Sequence, residues 1–223
     1  SEMCIRDRYR RYRNLEGDAE YLKLAYEAAG ALMDMGHSLY KSATPEQSYF
    51  DLFIQDKYDT NPEVILAREY DASINMGNNV SNSIPGAIMG MSRDCFEEYL
   101  CATTGKPISQ CGCHNPDMGQ IQEMENRDGR LLQTVCLPKA GEYSRYLFRE
   151  VNGVMTGGAS SIFGLLEGTE KKPFYGTSST GYAIAKFYKA SEHAVGNHKG
   201  SIDAPVMRYA EALLIRAEAG AEL

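Results

Sequence analysis

Carboxylates, thiols and amides are the groups in this chain that could do chemistry, and their spacing decides which chemistry. Glu97, Glu98, Asp117, Glu123, Glu125 and Asp128 could contain the two carboxyl groups a hydrolase sets across one glycosidic bond, but their spacing selects no pair. Cys111-Gly112-Cys113-His114 puts three soft ligands within four residues, tighter than the two-to-four-residue gap of zinc knuckles. Cys95 and Cys101 lie on different faces of any helix. His193 and His198 are also off one helical face, and H-E-x-x-H is absent. The six cysteines (Cys4, Cys95, Cys101, Cys111, Cys113, Cys136) therefore read as small buried hydrophobes and ordinary thiols, with no metal site and no disulfide framework. Gly176 and Gly181 have the spacing of a phosphate loop, but Tyr182 stands where the lysine must be. No G-x-S-x-G elbow occurs. The chain is expected to have no catalytic residues, no metal and no cofactor. The rival readings are a hydrolase using carboxylates or a Cys/His metal site, and a tetratricopeptide-type protein-interaction scaffold.

Binding chemistry is better represented. Between Asp71 and Met91 hydrophobic periodicity vanishes and Asn, Gly and Ser accumulate. A loop of that length is usually functional or disordered. Asn75, Asn78, Asn79 and Asn82 each carry an amide that donates and accepts, which suits sugar hydroxyls in both roles. Fifteen tyrosines and no tryptophan make tyrosine the available stacking surface. Tyr70, Tyr175 and Tyr182 are the candidates to face a pyranose ring. The competing account of the same asparagines is turn formation.

Elements must position these groups. Residues 18–35 read as a helix, with Asp18 as cap, Gly36 as terminator and Leu22, Ala25, Ala29 and Leu32 on one face. Thr44-Pro45-Glu46-Gln47 starts a second helix, expected to reach Gln55 and to bury Tyr49, Phe50 and Phe53. Val64 to Ala67 reads as a short strand, Ser92 as the cap of a helix holding Phe96, Tyr99 and Leu100, and 126–132 as a helical turn. Further strands are expected at 134–137 and 182–188. Pro205 to Glu222 is the strongest helix, with Tyr209, Ala210, Leu213, Leu214 and Ala217 assigned to its apolar face. The small-residue faces of 18–35 and 205–222 are expected to pack together.

Composition limits the rest. Net charge is −7, which disfavours nucleic acid as a partner, and no apolar run approaches the ~20 residues of a spanning helix. Residues 1–13 carry five arginines against two acids, and the opening Ser1–Arg8 resembles translated sequencing adaptor. They read as a non-native or disordered leader. No apolar stretch follows this cationic start, and the last helix stops without a breaker. The reading expects the middle of a longer chain.

Several stretches together resemble the SusD/RagB family of surface glycan-binding lipoproteins of Bacteroidetes outer membranes. Asp203-Ala-Pro-Val-Met-Arg-Tyr-Ala-Glu-Ala-Leu-Leu-Ile-Arg-Ala-Glu-Ala219 is similar to that family's D-x-P-x-x-R-Y-A-E helix. Asn61-Pro62-Glu63-Val64-Ile65-Leu66, Tyr99 to Ile108 and Asn126-Arg127-Asp128-Gly129-Arg130-Leu131 resemble three more of its passages, in the same order. The resemblance covers roughly 15–223. It implies a mostly α fold: tetratricopeptide-like helix pairs with a large loop-rich insertion containing a few short strands. The helical scaffold would comprise 14–60 and 203–223, and the irregular insertion 61–202. It also implies no catalysis, an oligosaccharide or peptide ligand, and a SusC-like TonB-dependent transporter as partner. The protein would sit on the outward-facing surface of the outer membrane, held through a lipid anchor outside this segment. Arg208, Glu211, Asp128 and Arg130 fall in the matching motifs and are expected to serve structure.

Overall fold

The computed structural model describes residues 18–84, 90–113, 123–135, 149–151, 154–156, 182 and 184–223. The 1–13 leader, Tyr175, His114, Asp117 and the 176–181 glycine loop lie outside them. Helices dominate, with short strands between. The chain forms two units: Ser1–Lys41, Lys57–Arg68 and Asp203–Leu223 in one, Ser42–Asp56 and Glu69–Ile202 in the other.

The first unit is built from both ends of the sequence. Helix α1 spans Asp18–Met33 and ends before Gly36, whose φ of +84° is the left-handed stop the sequence calls for. Strand β1 is Val64–Arg68, initiated by Asn61, whose Oδ1 accepts from the amides of Glu63 and Val64 at 2.9 and 3.1 Å. It pairs antiparallel with Ala204–Arg208, the last strand of the chain, through a register shift at Leu66. The last helix, Tyr209–Glu222, starts where Arg208 is still extended. The expected helix from Pro205 is thus a strand followed by a helix. A proline loses little at the end of a two-stranded ribbon, and pairing with β1 overrides the helix-start signal.

The two long helices pack together, as their small-residue faces predict. Leu22, Ala25 and Ala29 of α1 meet Ile215 and Ala219 of the last helix in one buried cluster. The face of the last helix differs from the expected one. Ala212, Ile215 and Ala219 are buried, whereas Leu214 is 64% exposed. The stripe repeats at i, i+3 and i+7 from Ala212, a phase that the surplus of apolar residues on this helix conceals. Arg216 lies 4.4 Å over the Tyr26 ring and covers the seam. Ala29 has no exposed surface, so Ala29→Trp is expected to destabilise by about 1–3 kcal/mol through overpacking. A urea midpoint equal to that of the parent chain would remove this contact from the account.

The described residues of the second unit form short elements. A 3-10 turn, Pro45–Gln47, runs into helix α2, Ser48–Leu52, shorter than the expected span to Gln55. Phe50 and Phe53 are buried and Tyr49 sits edge-on to Phe53 at 5.1 Å. Helix α3 is Val80–Ser83 and α4 is Arg93–Glu97, whose cap Ser92 accepts from the Cys95 amide. Helix α5 is Gly129–Thr134, and Ala190–Val195 forms α6. Arg149–Val151 and Val154–Thr156 make a small antiparallel hairpin, β2–β3. The core joins Met91, Phe96, Met124, Leu131, Val135 and Tyr182. Among the described residues of 182–188 no strand forms: Ile184 makes one bridge to Val135, then Phe187 at φ +71° turns the chain. Thr134 is helical, and the rest of the strand expected at 134–137, beyond Val135, lies outside the described residues.

Candidate functional site

The asparagine-rich segment is more ordered than its composition suggests. Asp71 caps a 3-10 turn, Ala72–Ile74, and its backbone bridges Met76. Asn75 stands at the end of that turn with φ +61°, a conformation asparagine tolerates better than most residues. It is exposed, flanked by Ile74 and Met76 at 62% and 53% exposure. Tyr70, half-buried, precedes the turn.

The other asparagines face inward and bind the chain to itself. The backbones of Asn78 and Gly200 exchange hydrogen bonds of 2.9 and 3.1 Å. The Asn78 amide donates to the Ile202 carbonyl at 2.9 Å, and its Oδ1 accepts from the Val80 amide. Asn79 Oδ1 accepts from the His198 amide at 2.9 Å, and Asn82 donates to the Gly196 carbonyl at 3.0 Å. The contact is close enough to require glycine: a Cβ at Gly77 would stand 2.3 Å from the His198 carbonyl oxygen. Buried Glu192 closes the seam, accepting from the Ser201 amide and the Ser81 hydroxyl. Asn78, Asn79 and Asn82 thus latch 78–82 onto 196–202, which leaves Asn75 as the outward-facing amide of the four.

Tyr182 lies in the core. Its ring stacks on Phe96 at a centroid distance of 4.2 Å and is 7% exposed. Its hydroxyl donates to Glu123 Oε2 at 3.0 Å and accepts from Arg93. Burial, then the Glu123 charge, raise its pKa above the usual phenol range. Arg93 also pairs with Glu123 at 2.9 Å. Two of the carboxylates considered for hydrolysis, Glu97 and Glu123, are therefore ion-paired with the same arginine.

The motif residues hold backbone. Asp128 caps α5 by accepting from the Arg130 amide at 2.9 Å and pairs with the Arg130 guanidinium. That hydrogen bonding, led by the guanidinium, lowers the Asp128 pKa. Arg208, the last residue of its strand, donates to buried Glu63 at 2.8 Å and so anchors the neighbouring strand segment. Glu211 sits in the first turn of the last helix, where a negative charge complements the helix dipole.

Two buried groups were not singled out by sequence. Arg127 donates to the carbonyls of Phe96, Tyr99 and Glu123. Glu63 accepts from Arg208 and from the Tyr40 amide. Each lies inside a stretch that resembles the family's passages, Arg127 within Asn126–Leu131 and Glu63 within Asn61–Leu66.

Among the described residues no helix is long and apolar enough to cross a membrane. No curated protein and no solved structure matches the chain. The model of the SusD family matches residues 34–223. Members of that family are non-catalytic binding proteins that capture glycans and other nutrients at the outer membrane. On a match that spans most of its length, this chain belongs to the SusD family.

Proposed function

We propose that this chain captures oligosaccharides on the outward-facing surface of the outer membrane and passes them to a SusC-like TonB-dependent transporter. The observation that carries the proposal is the family match over 34–223. In this reading the protein is a Bacteroidetes-type lipoprotein whose lipid anchor belongs to sequence outside this segment. The ligand face is the turn at Tyr70, Ile74, Asn75 and Met76, with Tyr175 as a further stacking candidate. Ligands prefer loops held by a rigid support, and the Asn78, Asn79 and Asn82 latch supplies that support here. Asn78, Asn79, Asn82 and Tyr182 then act by holding the loop and its surroundings in place. A peptide ligand would use the same exposed apolar pair, Ile74 and Met76.

Calorimetry against a panel of oligosaccharides is expected to give binding without product formation. Asn75→Ala should lower affinity by about 1 kcal/mol, the worth of one hydrogen bond, with stability lowered by no more than the roughly 1 kcal/mol that alanine costs in the left-handed conformation. Asn78→Ala should lower affinity only together with stability. Parent-level affinity in both Asn75→Ala and Tyr70→Ala would move the ligand face away from this turn.

A further inference from the structure

The cysteines read from sequence as unrelated thiols converge in space. Cys101, buried, and Cys111 and Cys113, on a separate turn, bring their three sulfurs within 4.8 Å of one another. Two backbone devices create this. Cys101 opens a tight turn: its amide donates to the Lys106 carbonyl at 2.9 Å and its carbonyl accepts from the Gly105 amide at 2.9 Å. Cys111 ends the 3-10 turn Ile108–Gln110, and Gly112 at φ +67° reverses the chain, so that both flanking side chains return to the same side. The sequence spacing hides this, because the third thiol lies ten residues upstream.

From this geometry we infer that Cys101, Cys111 and Cys113 form a three-thiolate site for a soft metal ion, zinc being the ion of choice. The site goes beyond glycan capture and does not depend on it. Zinc binds thiolate sulfur at ~2.3 Å with tetrahedral angles, which sets neighbouring sulfurs about 3.8 Å apart. Cys101 and Cys113 stand 3.8 Å apart. Beside the buried sulfur is an N–H donor of the kind that orients metal-bound thiolates: the Asn126 amide lies 3.7 Å from the Cys101 sulfur.

In this structure Cys111 and Cys113 are joined as a disulfide. Loading therefore begins with a two-electron reduction by a phosphine or dithiol. The sulfur–sulfur bond breaks and each sulfur takes a proton: a phosphine leaves as its oxide, with one water supplying the oxygen and both protons, or a dithiol gives up its own two protons and leaves as the cyclic disulfide. Zinc then displaces three protons, one from each thiol, and three sulfur–zinc bonds form.

The test is zinc itself, added to the full chain after phosphine reduction, followed by desalting and elemental analysis. About one zinc per chain is expected. Cys113→Ser, at an exposed position, and Cys101→Ser should each lower retention at least tenfold. A chain with Cys4, Cys95 and Cys136 replaced by serine should retain the full stoichiometry. Cobalt substitution gives an independent readout, since thiolate-to-cobalt charge transfer appears only when sulfur is a ligand. Absence of retained zinc in the reduced parent chain would overturn the site. Undiminished retention in Cys113→Ser would overturn it equally, even if Cys101→Ser failed to fold.

Discussion

Replacing Arg127 by methionine is expected to cost the larger unit about 3–6 kcal/mol. The guanidinium is 6% exposed as part of its residue and satisfies three carbonyls, those of Phe96, Tyr99 and Glu123. Methionine restores most of the volume and none of the donors. Each stranded buried acceptor costs ~1–3 kcal/mol, and three are stranded at once. The arginine also stacks over the Phe96 ring at 5.1 Å, a contact methionine partly replaces. Arg127→Lys should recover only a fraction, because an ammonium cannot reach three acceptors in the plane a guanidinium spans. Urea unfolding followed by fluorescence would check this. A parent-like midpoint for Arg127→Met would show that the carbonyls find other partners.

The second large effect is expected at the join between the two strands of the smaller unit. Arg208→Ala removes the cation opposite Glu63, whose side chain is 5% exposed. A buried carboxylate left with only the Tyr40 amide is costly, and about 2–4 kcal/mol is expected after allowing for the partial exposure of Arg208. The sign of the double change separates pairing from packing. Glu63→Met combined with Arg208→Met should be less destabilising than Arg208→Ala alone, because no charge is then stranded. If the double variant is the worse of the two, the pair stabilises by more than mutual neutralisation.

What the sequence makes legible is local. Gly36 as a stop and Ser92 as a cap act within a few residues, and the structure keeps both, as it keeps the expected packing of the two long helices though on a different face of the last one. What it hides is decided by distant partners. Pro205 reads as the first residue of a helix until β1 is there to pair with it. Asn78 and Asn79 read as sugar-binding amides because their real acceptors and donors, at Ile202 and His198, are more than a hundred residues away. Tyr182 reads as a surface ring for the same reason: its neighbours Phe96, Glu123 and Arg93 come from elsewhere in the chain. The turn Ala72–Ile74, by contrast, is closed by its own neighbours, Asp71 and Met76.

The smaller unit takes α1 from one end of the chain and its partner helix from the other, with Tyr26 and Arg216 separated by 190 positions. Synthesis is directional, so α1 emerges long before the surface that covers Leu22, Ala25 and Ala29 exists. At ~5–20 residues per second that interval is on the order of 10–40 s. Closing so long a loop adds only a logarithmic entropy cost once both ends are present. The delay is therefore a matter of translation rather than of thermodynamics, and throughout it an apolar helix face is open to wrong partners. The topology leaves that face uncovered until Tyr209–Glu222 has been made.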